Sequence, residues 1–174
     1  IDKWVYDFLE KNNISTSSFV DFDFSYSLCP ADYQILTYVH GDSLIKFQDS
    51  QTQYMSPQLL QAAGRYIARI HRFTFQGYGP ISLQGLLKND FYGVHSSWKN
   101  YLFLNLEEHV WICKKIDAIS FQEAQTILEI FRRYENIFSI VKGSLLHGDL
   151  GCRNFISKDG ETISALIDWE DVMI

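Results

Sequence analysis

Four polar side chains late in the sequence have the types and spacing to do chemistry. They are His147, Asp149, Asn154 and Asp168, all within LLHGDLGCRNFISKDGETISALIDWEDV from Leu145 to Val172. They surround two short apolar runs, and polar groups beside buried strands cost free energy unless they are paired or bind something. Such a set can be a metal site, a catalytic site or a polar turn. The intervening residues narrow the choice. Asp159-Gly160, between the runs NFIS and ISALI, is a two-residue hairpin signal. A hairpin brings its open ends together, so Asn154 at its start and Asp168 at its end become neighbours. Two oxygen-bearing side chains at one mouth can grip a hard cation such as Mg²⁺. Asp149 then stands apart as a carboxylate able to orient or accept a proton.

The elements that must position this set can be read along the chain. Trp4, Val5, Phe8 and Leu9 share one helical face, from almost Ile1 to a stop at Asn12-Asn13. A chain that starts inside a helix hints at a fragment. FVDFDFS from Phe19 to Ser25 alternates as a half-buried strand does, and YQILTYV from Tyr33 to Val39 reads as a second, more buried one. The two make an antiparallel pair. After Gly41 the character becomes helical, which sets a lobe boundary between residues 1–40 and 41–174. Ser56-Pro57 reads as N-cap and first helical residue, followed by the stripe Leu59, Leu60, Ala63, Ile67 and Ile70. GYGP from Gly77 reads as a loop, and amphipathic helices are expected over 97–114 and 121–140. The aromatics Trp98, Tyr101 and Trp111 read as core rather than as a cage around a substrate. The apolar run from Ser144 to Leu146 then leads into HGDLGCRN.

Bulk composition excludes some classes. The 174 residues suffice for one domain or two small lobes, and 47% hydrophobic against 21% charged residues is the balance of a soluble globular chain. A net charge of −6 argues against a nucleic-acid binder, which needs basic patches, and is compatible with cationic small ligands. Cys29, Cys113 and Cys152 lie far apart without metal or redox spacing, which suggests reduced thiols. No apolar run approaches the ~20 residues of a membrane span, and the N-terminus is too charged for a signal peptide. The expected location is the cytoplasm, with no membrane partner; nothing fixes an oligomeric state.

The spacing Asp149-x-x-x-x-Asn154, with His147 two positions earlier, is that of the catalytic loop of eukaryotic-type kinases. HGDLGCRN, a hairpin and then ALIDWED together resemble the aminoglycoside phosphotransferase and choline-kinase-like family of small-molecule kinases. Gly148 and Trp169-Glu170 stand where protein kinases carry Arg and Phe-Gly, which favours the small-molecule branch. YQILTYVHGDSL is similar to that family's hinge, and AAGRYIARIHRF to its long helix.

The resemblance implies an α+β, protein-kinase-like two-lobed fold. Residues 1–40 would be the end of the N-lobe and the hinge. Residues 41–174 would be the core of a mainly helical C-lobe, with catalytic loop 147–154 and metal-binding hairpin 154–170. It implies transfer of a γ-phosphate from ATP or GTP to a hydroxyl of a small molecule, with an aminoglycoside as the leading acceptor. Choline, fructosamine and homoserine are alternatives. Asp149 would orient or deprotonate the acceptor, while Asn154 and Asp168 would hold Mg²⁺. Thr37 and Val39 would present backbone groups to the base, and Ile156 and Ile167 an apolar floor beneath it; strand and hairpin core are equally natural for these four. His147 would be a loop scaffold, Arg153 a phosphate-facing cation, and Glu170 either an approach to a second metal or a solvated turn residue. The family's phosphate-covering loop and strand lysine have no counterpart in this sequence, and the family continues beyond Ile174. The expectation is therefore a kinase fragment with little activity by itself. A metal-dependent phosphohydrolase and a silent nucleotide-binding module are the rival classes.

Overall fold

The computed structural model describes residues 2–50 and 54–174; Ile1, where the reading begins the first helix, lies outside them. The chain divides into two compact units. One runs to Phe73 and resumes over Leu145–Val172, and the other comprises Thr74–Ser144 with Met173–Ile174.

The first unit opens with α1 (Asp2–Lys11), which buries Val5, Tyr6 and Leu9. Trp4 and Phe8, one turn apart, stack at 4.8 Å beside that face. The helix stops where expected, because Asn12 Nδ2 turns back to the Phe8 carbonyl and Asn13 takes φ +57°. Strands β1 (Phe19–Asp23) and β2 (Tyr33–Leu36) pair antiparallel, with Phe19 opposite Leu36 and Asp23 opposite Tyr33. The second strand ends at Leu36 rather than Val39, because the Thr37 hydroxyl replaces a backbone acceptor and takes the Ser18 N–H at 2.7 Å. Nor is it the more buried strand: Ile35 is 46% exposed, since a two-stranded ribbon covers only one of its faces. A short β3 (Asp42–Ser43) follows. Helix α2 (Pro57–Ile70) starts as expected, with Ser56 Oγ accepting the Leu59 N–H at 3.1 Å. Its buried stripe is Leu59, Ala63, Tyr66 and Ile70, whereas Leu60 is exposed. Spacings of four, three and four keep one face, and Leu60 falls one residue round from it.

In the second unit, β4 (Thr74–Phe75) is followed by β5 (Tyr78–Ile81), α3 (Leu83–Leu87) and β6 (Gly93–His95). The GYGP segment is thus a strand edge, not a loop. Gly77 at φ +71° lies so close to the Gly93 backbone that a Cβ would collide with it, and this contact lets β5 and β6 pair. The helix expected over 97–114 is broken into α4 (Trp98–Phe103) and α5 (Leu106–Lys115). Asn105, at φ −127° and ψ 19°, leaves helical geometry, so α4 rests on β5 and β6 while α5 packs on α6 (Phe121–Arg133). Helix α6 ends at Arg133 rather than Ile140, and a 3₁₀ turn occupies Glu135–Phe138. Trp98 and Tyr101 pair at 5.4 Å, but Trp111 is 39% exposed and meets Phe121 instead, so the expected aromatic stripe is two separate contacts. Val110, Ala124 and Leu128 form the unit's apolar core, and β7 (Gly143–Ser144) pairs with β4.

The chain then returns to the first unit through Leu145, which is fully buried and donates to the Phe73 carbonyl at 3.0 Å. Strands β8 (Phe155–Ser157) and β9 (Ala165–Leu166) pair antiparallel, with β3 on the other side of β8. The expected hairpin is present, but not its two-residue turn. Its strands are shorter, and residues 158–164 form a longer loop. Asp159 organises that loop by accepting the N–H groups of Glu161 and Thr162 at 2.9 and 2.8 Å, besides the hydroxyls of Ser157 and Thr162. An aspartate that bonds nearby backbone in this way favours an open Asx-type turn over a tight primed one. Those donors, the Thr162 N–H foremost, hold its carboxyl well below the usual carboxylate range.

Candidate active site

Every residue singled out as a site candidate lies in the first unit. The loop 147–154 is shaped by two side chains and one missing side chain. His147 is 5% exposed, and its Nε2 contacts the Ile167 carbonyl at 2.8 Å. A carbonyl only accepts, so Nε2 carries the proton and Nδ1 is left as a buried lone pair with no partner. Burial pushes the His147 pKa below its ordinary value. The Ile167 carbonyl and then the carboxylates of Asp168, Asp149 and Asp171 act in the opposite direction without overcoming it. His147 is therefore a neutral strut between the loop 147–154 and the end of the hairpin.

Gly148 is the missing side chain. It sits at φ +85°, and a Cβ there would overlap the Asp171 carbonyl. The loop and the residues after Asp168 touch backbone to backbone at this point, and an arginine in this place, as in protein kinases, would not fit. Asn154 supplies the second shaping side chain. It is 3% exposed and donates from Nδ2 to the Asp149 carbonyl at 2.8 Å, with a longer approach of 3.4 Å to Asp149 Oδ2. Its own N–H closes the loop on the Gly151 carbonyl at 3.0 Å, and its carbonyl accepts the Ile167 N–H at 2.9 Å. Asn154 thus joins Asp149 on one side to the residue before Asp168 on the other.

Asp149 is half-buried, and its Oδ2 is paired with the Arg153 guanidinium one helical turn later in sequence. Arg153, expected as a phosphate-facing cation, is here the ion-pair partner of Asp149. Asp168 is exposed at φ +69°, Trp169 behind it is fully buried, and Glu170 is exposed. Ile156 is buried on β8 opposite Ser43 of β3, and Ile167 is half-buried just past β9. Among the described residues no hydrogen bond joins Thr37 or Val39 to the others: the Thr37 N–H goes to the Ser18 carbonyl at 2.9 Å, and Val39 is half-buried. The Cys152 carbonyl accepts the Leu44 N–H at 3.2 Å, which ties the loop 147–154 to the turn after β3.

Two groups escaped the sequence reading. Trp169 served there only to separate kinase branches, yet it is the largest fully buried side chain and donates Nε1–H to the Leu166 carbonyl at 2.9 Å. A tryptophan directly after an apolar strand, whose N–H must find a partner, was the available signal. Tyr66 was the other: its hydroxyl donates to the Ser15 carbonyl, and burial raises its pKa to about 12.

The donor set fits a hard divalent cation. Asn154 and Asp168 offer oxygen ligands of the kind Mg²⁺ takes, and Mg²⁺ characteristically uses one or two protein groups and fills its octahedron with water and phosphate oxygens. Among the described residues no group of three or more His, Cys, Asp or Glu side chains is gathered for a metal, so any cation here shares its shell with other oxygens.

A protein-kinase-like fold is the class that these elements define. The chain is similar over 99% of its length to the solved structure of a thermostable mutant of aminoglycoside phosphotransferase APH(4)-Ia in ternary complex with AMP-PNP and hygromycin B, at 23% identity and a TM-score of 0.72. ADP-bound aminoglycoside phosphotransferase APH(2'')-Ib matches 98% of the chain at 18% identity and a TM-score of 0.62. The streptomycin–ATP complex of APH(2'')-IIa matches 97% at 15% identity and 0.60. This chain spans only 55%, 54% and 53% of those three proteins. No curated protein matches it in sequence. The sequence matches the phosphotransferase enzyme family over residues 4–174, and the chain belongs to that family. The fold is the protein-kinase-like fold of the aminoglycoside phosphotransferases, as the sequence resemblance implied. Among the described residues no helix is long and apolar enough to cross a membrane.

Proposed function

We propose that this chain carries the catalytic loop and cation arm of a small-molecule kinase that moves a γ-phosphate from ATP or GTP to an acceptor hydroxyl. One observation carries the reading: Asn154 bonds Asp149 through its side chain and Ile167 through its backbone. A carboxylate able to accept a proton and two cation-holding oxygens thereby belong to one small unit. Phosphoryl transfer needs alignment and charge neutralisation more than covalent help, and this is the smallest set that provides both.

Asp149 accepts the hydroxyl proton of the acceptor as its oxygen bonds to the γ-phosphorus. The bond from that phosphorus to the β–γ bridging oxygen breaks, and the nucleoside diphosphate leaves with the electron pair. Asn154 and Asp168 hold Mg²⁺, which when bound neutralises charge on the phosphate oxygens. Arg153, paired with Asp149, is a cation within reach of the same carboxylate and holds it in one orientation before the acceptor arrives. Thr37 and Val39 flank the base. Ile156 and Ile167 lie beneath it, and Glu170 stands beside the cation arm. The lobe assignment of 1–40 and 41–174 belongs to the same proposal.

An aminoglycoside is the acceptor class favoured here. The support is the fold shared with enzymes solved with hygromycin B and streptomycin, together with the net charge of −6, which suits a polycationic substrate. The test uses the protein as its gene encodes it, with nucleoside diphosphate release measured against a panel of aminoglycosides and small alcohols. Acceptor-dependent release with an aminoglycoside supports the reading. Release only with choline, fructosamine or homoserine moves the acceptor class, and nucleotide binding without release marks a silent module.

A further inference from the structure

Asp168 is the residue whose backbone its neighbours over-determine. At φ +69° it occupies the left-handed region, which a non-glycine residue adopts at a cost and keeps only where its surroundings enforce it. Both sides enforce it here. Before it, the Ile167 N–H is held by the Asn154 carbonyl at 2.9 Å and the Ile167 carbonyl by His147 Nε2 at 2.8 Å. After it, Trp169 is fully buried, and its Nε1–H reaches back to the Leu166 carbonyl at 2.9 Å. That bond spans Asp168 and closes residues 166–169 into a small loop with Asp168 at the bend. The Trp169 ring lies 4.6 Å from the His147 ring, so the strut on one side and the anchor on the other pack together. Asp171 then seats its carbonyl on Gly148. Asp168 has no slack on either side.

We propose that Trp169 is a positioning residue for the cation arm: its buried indole, bonded across Asp168 to Leu166, holds Asp168 in the left-handed conformation from which its carboxylate meets the cation. The inference rests on the reading of Asp168 as a cation ligand. A tryptophan that only filled core would affect stability alone. A tryptophan that positions Asp168 sets the affinity of the cation as well, as groups behind a metal ligand do.

The test uses the protein as its gene encodes it, with ADP affinity measured with and without Mn²⁺ as the probe cation. Asp168→Ala is expected to abolish the gain that Mn²⁺ adds. Trp169→Phe keeps an aromatic ring and removes the N–H donor. It is expected to cut that gain about tenfold to a hundredfold while leaving metal-free ADP affinity unchanged. If Trp169→Phe keeps the whole gain and Asp168→Ala loses it, the positioning role is overturned and the ligand reading stands. If Asp168→Ala also keeps it, or Mn²⁺ adds nothing to the parent protein, both are overturned. A second measurement does not depend on how the tryptophan variant folds. Asp168→Gly is expected to unfold about 2–4 °C above Asp168→Ala, because glycine alone occupies the left-handed region without strain. Equal unfolding temperatures would show no enforced conformation and overturn the proposal.

Discussion

The Asn154 side chain donates to the Asp149 carbonyl at 2.8 Å, while the Asn154 carbonyl holds the Ile167 N–H at 2.9 Å. One buried amide therefore fixes the spacing between the proposed base and the proposed cation ligand. Asn154→Ala removes the donor and an oxygen ligand together. It is expected to cost about 1 kcal/mol of stability for the lost hydrogen bond and to abolish cation-dependent nucleotide binding. Urea unfolding and nucleotide titration with and without Mg²⁺ check the two effects separately.

Gly148→Ala is expected to destabilise the protein by about 2 kcal/mol or more, since it meets both an unfavourable φ and a backbone atom that has nowhere to go. The overlap is with the Asp171 carbonyl rather than with a movable side chain. Chemical denaturation reads the loss. Gly151→Ala is the control and should be nearly neutral, because the nearest atoms a Cβ there would meet belong to the exposed Arg153 side chain, no closer than 3.4 Å.

His147 gives a pH dependence with a definite sign. Burial lowers its pKa below the ordinary 6.5, so the folded state binds the proton less readily than the unfolded chain. Its contribution is fully present above about 6.5 and is lost as pH falls from there through the folded value. His71, also lowered by burial, adds in the same direction. Unfolding free energy should therefore fall on acidification below about pH 6.5, with a shallower slope in His147→Gln. An unchanged slope in that variant would contradict the assignment.

Asp159 titrates lower still. Its carboxyl is held far below the ordinary 3.8 by the Thr162 and Glu161 N–H groups and the Thr162 and Ser157 hydroxyls. The stabilisation it provides is constant above the unfolded value near 3.8 and disappears as pH falls below it toward the folded one. The stability gap between the parent and Asp159→Asn should accordingly be flat from neutral pH down to about 4 and then close. Denaturation at stepped pH checks this.

The family was more legible in the sequence than the details of the architecture. The spacing of Asp149, Asn154 and Asp168 carried the resemblance to the family, and the apolar runs around them force a hairpin. The first helix and α2 were readable because Asn12-Asn13 and Ser56-Pro57 are local stop and start signals that act within a turn. The break at Asn105 was not, since the apolar periodicity of 97–114 continues through it and only packing of α4 and α5 on different partners divides it. The loop at 158–164 was misread for a related reason: Asp-Gly suits a tight turn, but the Asp159 carboxylate finds four donors in a wider one. GYGP became a strand because Gly77 meets Gly93, a contact between residues that no local pattern links. Trp169 stayed hidden because its partner, the Leu166 carbonyl, is a backbone atom common to every residue.

The most direct test of the central claim replaces one atom group in the proposed base. Asp149→Asn keeps the size of the side chain, removes its negative charge and leaves Asn154 and Asp168 in place. In the protein as its gene encodes it, phosphoryl transfer to the best acceptor should fall by about 10²–10⁴-fold, with Mg²⁺-dependent nucleotide affinity little changed. Transfer at the parent rate in Asp149→Asn would contradict the account.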